Sequence, residues 1–144
     1  MKTNAAGIAL IKKYEGFSEK PYLCPAGKRT IGYGHVIKAN EPFGKITQEQ
    51  GEALLRDDLQ EAEDAVTRLV KLPLNTNQFS ALASFTYNLG EGNLKKSTLL
   101  SLVNRGMWYM AAQQFDKWVY ANAKKLPGLV KRREAEKQLF LTPV

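Results

Sequence analysis

Apolar residues recur at helical spacing over most of the chain, and the exception lies between residues 17 and 46. Ile8, Ile11 and Tyr14 line one face of a first helix over Asn4–Tyr14, which Thr3 or Asn4 can cap and Gly16 stops. From Thr47 to about Val70 runs the longest helix. Leu55, Leu59, Ala62, Val66 and Leu69 supply its buried stripe, and Thr47-Gln48-Glu49-Gln50 fits a capping box at its start. Leu72-Pro73-Leu74-Asn75 ends it. Helical patterns follow over Asn77–Leu89, stopped by Gly90-Glu91-Gly92, then over Ser97–Asn104, then over Tyr109–Ala121 with Phe115, Trp118 and Val119. Pro127 opens a last helix over Gly128–Phe140, with Leu129, Val130, Leu139 and Phe140 facing inward and the basic run outward.

Residues 17–46 carry Pro21, Pro25 and Pro42 and no helical period. Tyr22-Leu23-Cys24, Pro25-Ala26-Gly27 and Lys28 to His35 predict a β-hairpin, with Pro25 at the second position of its turn. Alternation along the second strand puts Ile31, Tyr33 and His35 on one face and Thr30, Gly32 and Gly34 on the other. Thr30 then lies on a face otherwise bare of side chains, where a ligand can approach closely. The whole pattern predicts one α+β, mostly helical domain over residues 1–144. A small lobe with a short antiparallel sheet occupies about 12–46, a connecting helix 47–70, and a helical lobe 71–144 together with 1–11.

Composition narrows the functional classes. The single cysteine excludes an internal disulfide, no Cys/His set has zinc-ligand spacing, and no metal or cofactor is implied. Ala5 to Ile11 is the only apolar-leaning run near the start, too short for a signal-peptide core or a bilayer span, so no export segment and no stable membrane anchor are expected. The net charge of +7 suits an anionic partner such as nucleic acid, a membrane surface or an acidic wall polymer, or serves solubility alone. It is unevenly placed: residues 45–70 hold three basic side chains against seven acidic, and 117–137 hold seven against two. No nucleic-acid motif accompanies the basic segment and aromatics do not interleave it, so nucleic acid is not expected.

Reactive groups concentrate in one stretch. Between Tyr14 and His35 stand a carboxylate (Glu15), the only cysteine (Cys24), a hydroxyl (Thr30) and the only histidine, among four glycines and two prolines. Glu15 falls in the last turn of the first helix, where the dipole disfavours a negative charge unless a cation sits beside it. A free thiol titrates near ~8.5, so Cys24 is a weak nucleophile at neutral pH unless its surroundings favour the thiolate. A Cys24/His35 thiol–imidazole pair acting on peptide bonds is one reading, and a non-catalytic basic binding module is another.

The spacing of Glu15, eight residues, Cys24, five residues and Thr30, followed by Ile31-Gly32-Tyr33-Gly34-His35, resembles the phage-type lysozymes related to the T-even phage lysozyme. The resemblance continues through Leu54-Leu55 to Asp58-Leu59, Asn77 to Leu82, Ser84 to Asn88, Ser97 to Leu100 and Leu126 to Glu136. It implies a lysozyme-like fold with the active cleft between the lobes. The implied activity is hydrolysis of the β-1,4 bond between N-acetylmuramic acid and N-acetylglucosamine in peptidoglycan, leading to lysis of the host cell. It further implies a protein held in the host cytoplasm until the membrane is opened, then acting in the wall or periplasm, with a monomer as the default state. Residue by residue, Glu15 resembles the family's general acid and Thr30 the threonine that holds the attacking water. Cys24 stands where many members have aspartate. His35 resembles a histidine that supports the hairpin through an acid on the long helix such as Asp57, Asp58 or Glu61. Arg132, or else Arg133, resembles an arginine paired with the catalytic glutamate. Val36, Tyr87, Thr98 and Gln114 match positions that contact saccharide. The basic C-terminal segment would then meet anionic cell-envelope polymers.

Overall fold

The computed structural model describes residues 1–144, and it is 58% helical with two small antiparallel sheets. Helix α1 spans Ala5–Glu15, capped by Asn4, whose side chain accepts from the Gly7 amide at 2.9 Å. Thr3 is not the cap. Its amide and hydroxyl both donate to Glu63, each at 2.7 Å, and so tie the start of the chain to the long helix.

Three strands follow: β1 (Ser18–Leu23), β2 (Arg29–Gly32) and β3 (His35–Val36), paired in that order. The register between β1 and β2 shifts between Ser18 and Tyr22, where Pro21 has no amide to offer the ladder. The second strand ends earlier than alternation predicts. It stops at Gly32, the chain turns through Tyr33 and Gly34, and β3 returns with Ile31 opposite His35 and Thr30 opposite Val36. Ile31 and His35 therefore share a face by pairing, and Val36 joins Thr30 on the other.

Helix α2 (Gln48–Leu69) begins with the expected capping box between Thr47 and Gln50 and extends ~33 Å. Leu55, Leu59, Ala62 and Val66 are buried, while Leu69 is only half-buried. The sheet packs closely on this helix, since a Cβ on Gly32 would lie 3.4 Å from the Gly51 Cα. Ile8 and Ile11 from α1, Tyr33, and Leu55 and Leu59 form a small apolar cluster at this junction.

The larger core gathers α2 and the remaining helices, α3 (Thr76–Leu89), α4 (Glu91–Lys96), α5 (Thr98–Val103), α6 (Trp108–Gln114) and α7 (Pro127–Leu141). Phe85, Phe115 and Phe140 are buried within it, and Phe85 meets Phe115 and Trp118 edge-on at 5.7 and 5.5 Å. Each such ring contributes about 1.5–3 kcal/mol by burial. Helix α1 packs on α3 and α7, while its buried Ile8 and Ile11 belong to the smaller cluster at the sheet junction.

Three expectations are corrected here. Gly90 ends α3 as expected, but Glu91 and Gly92 already open a further short helix, α4, which the pattern did not predict. The helix expected over Tyr109–Ala121 ends at Gln114, passes through a 3-10 turn at Phe115–Lys117, and gives way to a hairpin of β4 (Tyr120–Ala121) and β5 (Lys124–Lys125). Asn122 and Ala123 take left-handed backbone at its tip, the geometry a two-residue hairpin turn needs. The basic run of α7 does not all face outward. Arg132, Arg133 and Glu136 are buried with Phe140, whereas Val130 is exposed and Leu129 and Leu139 are half-buried.

Candidate active site

Glu15 is the last residue of α1, so its carboxyl sits where the helix dipole disfavours its charge. The cation that offsets this comes from α7: Arg132 Nη1 donates to Glu15 Oε2 at 2.7 Å. The side chain of Arg132 is 4% exposed and that of Glu15 21%, so the arginine is held in the fold while the acid opens to solvent. That opening is a cleft of about 590 Å³, within the usual size of small-molecule sites. Glu15, Tyr22, Cys24, Thr30, Val36 and Tyr87 all line it.

Cys24 opens the turn between β1 and β2, where its carbonyl accepts from the Gly27 amide at 2.8 Å. The thiol is pulled below its usual range, first by the Lys28 amide, which favours the thiolate. Desolvation opposes this, and the Ala26 amide and Thr30 hydroxyl add to it. Thr30 is buried, with its hydroxyl donating to the Lys28 carbonyl at 3.0 Å. One hydroxyl has one proton. Given to Lys28, it leaves the Thr30 oxygen free to accept from a water; turned toward the sulfur, it supports the thiolate.

Two tyrosines sense the same charges. Burial, then the charges of Glu15 and Cys24, raise the Tyr22 phenol. Burial, then Glu15 and Asp58, raise Tyr87 far above the usual phenol range. Tyr87 is thus a neutral donor at any working pH, and its hydroxyl donates to the Tyr33 carbonyl at 3.0 Å.

His35 is buried at 5% exposure and bracketed by acids. Nδ1 lies 2.8 Å from Asp58 Oδ2 on α2, and Nε2 lies 3.1 Å from Glu41 Oε1. Burial works against a charged ring, but the hydrogen bonds to Asp58 and Glu41 outweigh it and His35 is raised. With both ring nitrogens engaged, neither is free to take a proton from Cys24, so the thiol–imidazole reading has no support. Among the acids expected to hold His35, Asp58 is the one that does.

The family model "Phage lysozyme" matches residues 12–136, a span that contains every residue just described. The chain belongs to the phage lysozyme family. It is 47% identical over 144 residues to an endolysin of Bacillus phage B103, covering 99% of this chain and 55% of that one. It is 44% identical to an endolysin of Acyrthosiphon pisum secondary endosymbiont phage 1, covering 97% of this chain and 98% of that one. The chain thus spans about half the length of some curated relatives and nearly all of others. Among solved structures, the muramidase domain of SpmX from Asticaccaulis excentricus is 42% identical, covers 99% of each chain and has a TM-score of 0.90. Family membership places this chain among the glycoside hydrolases of the muramidase class. No helix in it is long and apolar enough to cross a membrane.

Within this phage lysozyme the cleft brings together Glu15, Cys24, Thr30, His35, Val36 and Tyr87, with Arg132 behind the acid. Thr98, exposed at the start of α5, and Gln114, at the end of α6, stand outside that lining. Sequence reasoning missed Glu41, the second partner of His35, because it lies in an irregular segment with no period to orient it. It also missed Gly34, whose φ of 91° turns the backbone against the Glu15 carboxyl. The repeated glycines around Tyr33 were the available signal.

Proposed function

We propose that this chain is an endolysin that hydrolyses the β-1,4 bond between N-acetylmuramic acid and N-acetylglucosamine in bacterial peptidoglycan, as one lysozyme-like domain acting as a monomer. The observation that carries this reading is the Glu15 carboxyl, open to the cleft and paired with Arg132 at 2.7 Å, with Cys24 and Thr30 lining the same cavity. Glycoside hydrolysis needs a proton donor for the leaving oxygen and a second group to deal with the anomeric carbon. Glu15 gives its proton to the leaving glycosidic oxygen as the C–O bond breaks. A water held by the Thr30 oxygen adds to the anomeric carbon, and its proton passes to the Cys24 thiolate. The product is then inverted, and the negative sulfur also steadies the positive charge that builds up on the sugar ring.

Val36 and Tyr87 contact the saccharide in the cleft, while Thr98 and Gln114 serve a glycan that runs beyond it. The exposed lysines of the C-terminal segment steer the enzyme to anionic envelope polymers. The name endolysin borne by its relatives supports a role in lysing the host, with the protein held in the cytoplasm until the membrane opens, then acting on the wall. Mass spectrometry of digested purified peptidoglycan tests the reading. New reducing ends are expected; new amino groups would indicate a peptidase or amidase, and anhydro-muramic ends a lytic transglycosylase. Glu15→Gln is expected to abolish release.

A further inference from the structure

Behind the Glu15–Arg132 pair lies a buried group of charges that neither binds substrate nor completes the apolar core. Arg132 reaches Glu136 on its inner side, with Nε 3.4 Å from Oε2. Ser84 from α3 donates to that same oxygen at 2.5 Å. The other oxygen of Glu136 lies 3.0 Å from Arg133 Nε. Arg133 also donates to Asn88 and lies over the Phe85 ring at 5.4 Å. The side chains of Arg133 and Glu136 have no exposure at all.

A pair so deep costs several kcal/mol of desolvation per ion, and apolar residues of the same volume usually stabilise a fold as well or better. Its geometry is not that of an optimised bridge. Arg133 Nε and Nη1 and Glu136 Oε1 lack a well-directed hydrogen bond, so Arg133 and Glu136 act on each other as charges rather than as matched donors and acceptors. Burial pushes the Glu136 carboxyl up, and Arg133 and Arg132 lead the forces opposing it. Burial pulls the Arg133 guanidinium down, and Glu136 is the foremost force opposing that. A neutral Glu136 would leave two buried guanidiniums facing Glu15 alone, and Arg132, Arg133 and the Ser84 hydroxyl all favour its carboxylate against the cost of burial.

The charges form a line. Glu15, Arg132, Glu136 and Arg133 alternate in sign and sum to zero. A general acid must begin its cycle protonated, and a full positive charge at 2.7 Å favours the carboxylate instead. Glu136, on the far side of the same guanidinium, offsets part of that charge, and Arg133 limits how much. We propose that Glu136 and Arg133 are positioning residues that set the protonation balance of Glu15 through Arg132, acting with opposite sign. This rests on the reading of Glu15 as the proton donor.

The groups acting on Glu15 are Arg132 and, at longer range, Arg133 from α7, Tyr87 from α3, Tyr22 from β1 and Cys24 in the same cleft. Those facing Glu136 are Arg132 and Arg133 on its own helix and Ser84 from α3. Both tyrosines stay neutral over the working range, whereas Cys24 and His35 line the same cleft and titrate near it, so the pH response of Glu15 must be read with Cys24 held in one charge state.

The test is kcat/KM against pH on a soluble peptidoglycan glycan fragment at constant ionic strength in a Cys24→Asp background, where the group at position 24 is ionised throughout and the alkaline limb reports loss of the proton donor. Glu136→Gln leaves two cations and should move that limb down by about one pH unit. Arg133→Met leaves Glu136 unopposed and should move it up by a similar amount. The double variant restores the balance and should bring the limb back close to its original position. A packing defect has no reason to move the limb in opposite directions or to cancel, so limbs that stay fixed, or shift in the same direction, overturn the proposal. If Glu136→Gln does not fold, the upward shift of Arg133→Met and its reversal in the double variant decide. Glu15→Gln separates the two levels: an active Glu15→Gln overturns the proton-donor reading, whereas an inactive one with unmoved limbs in the other variants overturns this inference alone.

Discussion

The backbone of Gly34 lies directly against the carboxyl of Glu15, close enough that a Cβ at position 34 would stand 2.7 Å from Glu15 Oε1. Gly34→Ala therefore pushes on the carboxyl itself and draws Oε2 away from Arg132. It also places a side chain at φ 91°, which costs roughly 1–3 kcal/mol. Activity should fall by at least ten-fold, more than the modest drop in melting temperature accounts for. Turnover of a soluble glycan, measured well below the melting transition, checks this. An alanine variant with normal kcat would show that the carboxyl has room to move.

His35 should make stability depend on pH in one direction. Its folded pKa is raised by Asp58 and Glu41 against the cost of burial, so the folded ring keeps its proton where the unfolded chain has lost it. That contribution is fully present below the unfolded value of about 6.5 and is lost as pH rises through the folded value. Urea unfolding across pH 5 to 9 should show stability declining in that window. His35→Asn should remove the decline and lower stability by about 2 kcal/mol at pH 5 to 6, the loss expected for hydrogen bonds to charged groups. An unchanged slope in the variant would assign the decline to other groups.

Helical spacing revealed α1 and α2 because each buries a stripe of apolar residues, Pro127 marked the start of α7, and the capping box at Thr47 located the start of α2 to the residue. It failed at Trp118 to Lys125, where β-forming side chains and a left-handed Asn122 outweigh a weak helical pattern. The site was legible wherever a residue's type is rare or its position fixed by an element's end, as with Glu15, Cys24 and His35. It was opaque where tertiary contact decides. Helical spacing assigned the basic run of α7, Arg132 and Arg133 included, to the outward face, although the family resemblance paired one of them with Glu15, and the packing of α7 on α3 and α1 buries both. The hydrophobic pattern of α7 could not show this, because its buried face is largely charged.

Cys24 takes the place of a carboxylate, and its chemistry predicts a distinctive set of variants. Serine cannot supply an anion near neutral pH, so Cys24→Ser should lose at least 100-fold in kcat, while Cys24→Asp should keep substantial activity. Because the Lys28 amide, with help from the Ala26 amide and the Thr30 hydroxyl, favours the thiolate, the half-exposed sulfur should also react with iodoacetamide faster than a free thiol at pH 7. Substrate in the cleft should protect it. NMR of the first product anomer distinguishes the course: inversion fits water attack assisted by the thiolate, and retention would mean that sulfur itself bonds to the sugar. Full activity in Cys24→Ser would overturn both active roles.

The exposed lysines near the C-terminus should govern arrival at the wall, not turnover. Lys124 and Lys125 lie on β5 and Lys131 on the outer side of α7, all exposed. Lys137 differs, since its ammonium lies 2.9 Å from Asp116 and its side chain is 15% exposed, so it stays paired within the fold. Charge steering acts over about a Debye length, ~8 Å at physiological salt and ~30 Å at 0.01 M. Replacing Lys124, Lys125 and Lys131 by glutamine should therefore slow lysis of intact walls several-fold at low salt and flatten its salt dependence. Turnover of a short neutral glycan should stay close to the original rate, because none of the three lines the cleft. Neutralising Lys137 instead should mainly lower stability, by about 0.2–1 kcal/mol for a surface pair. Equal losses on wall and short glycan in the triple variant would mean that these lysines act on the cleft rather than on encounter with the wall.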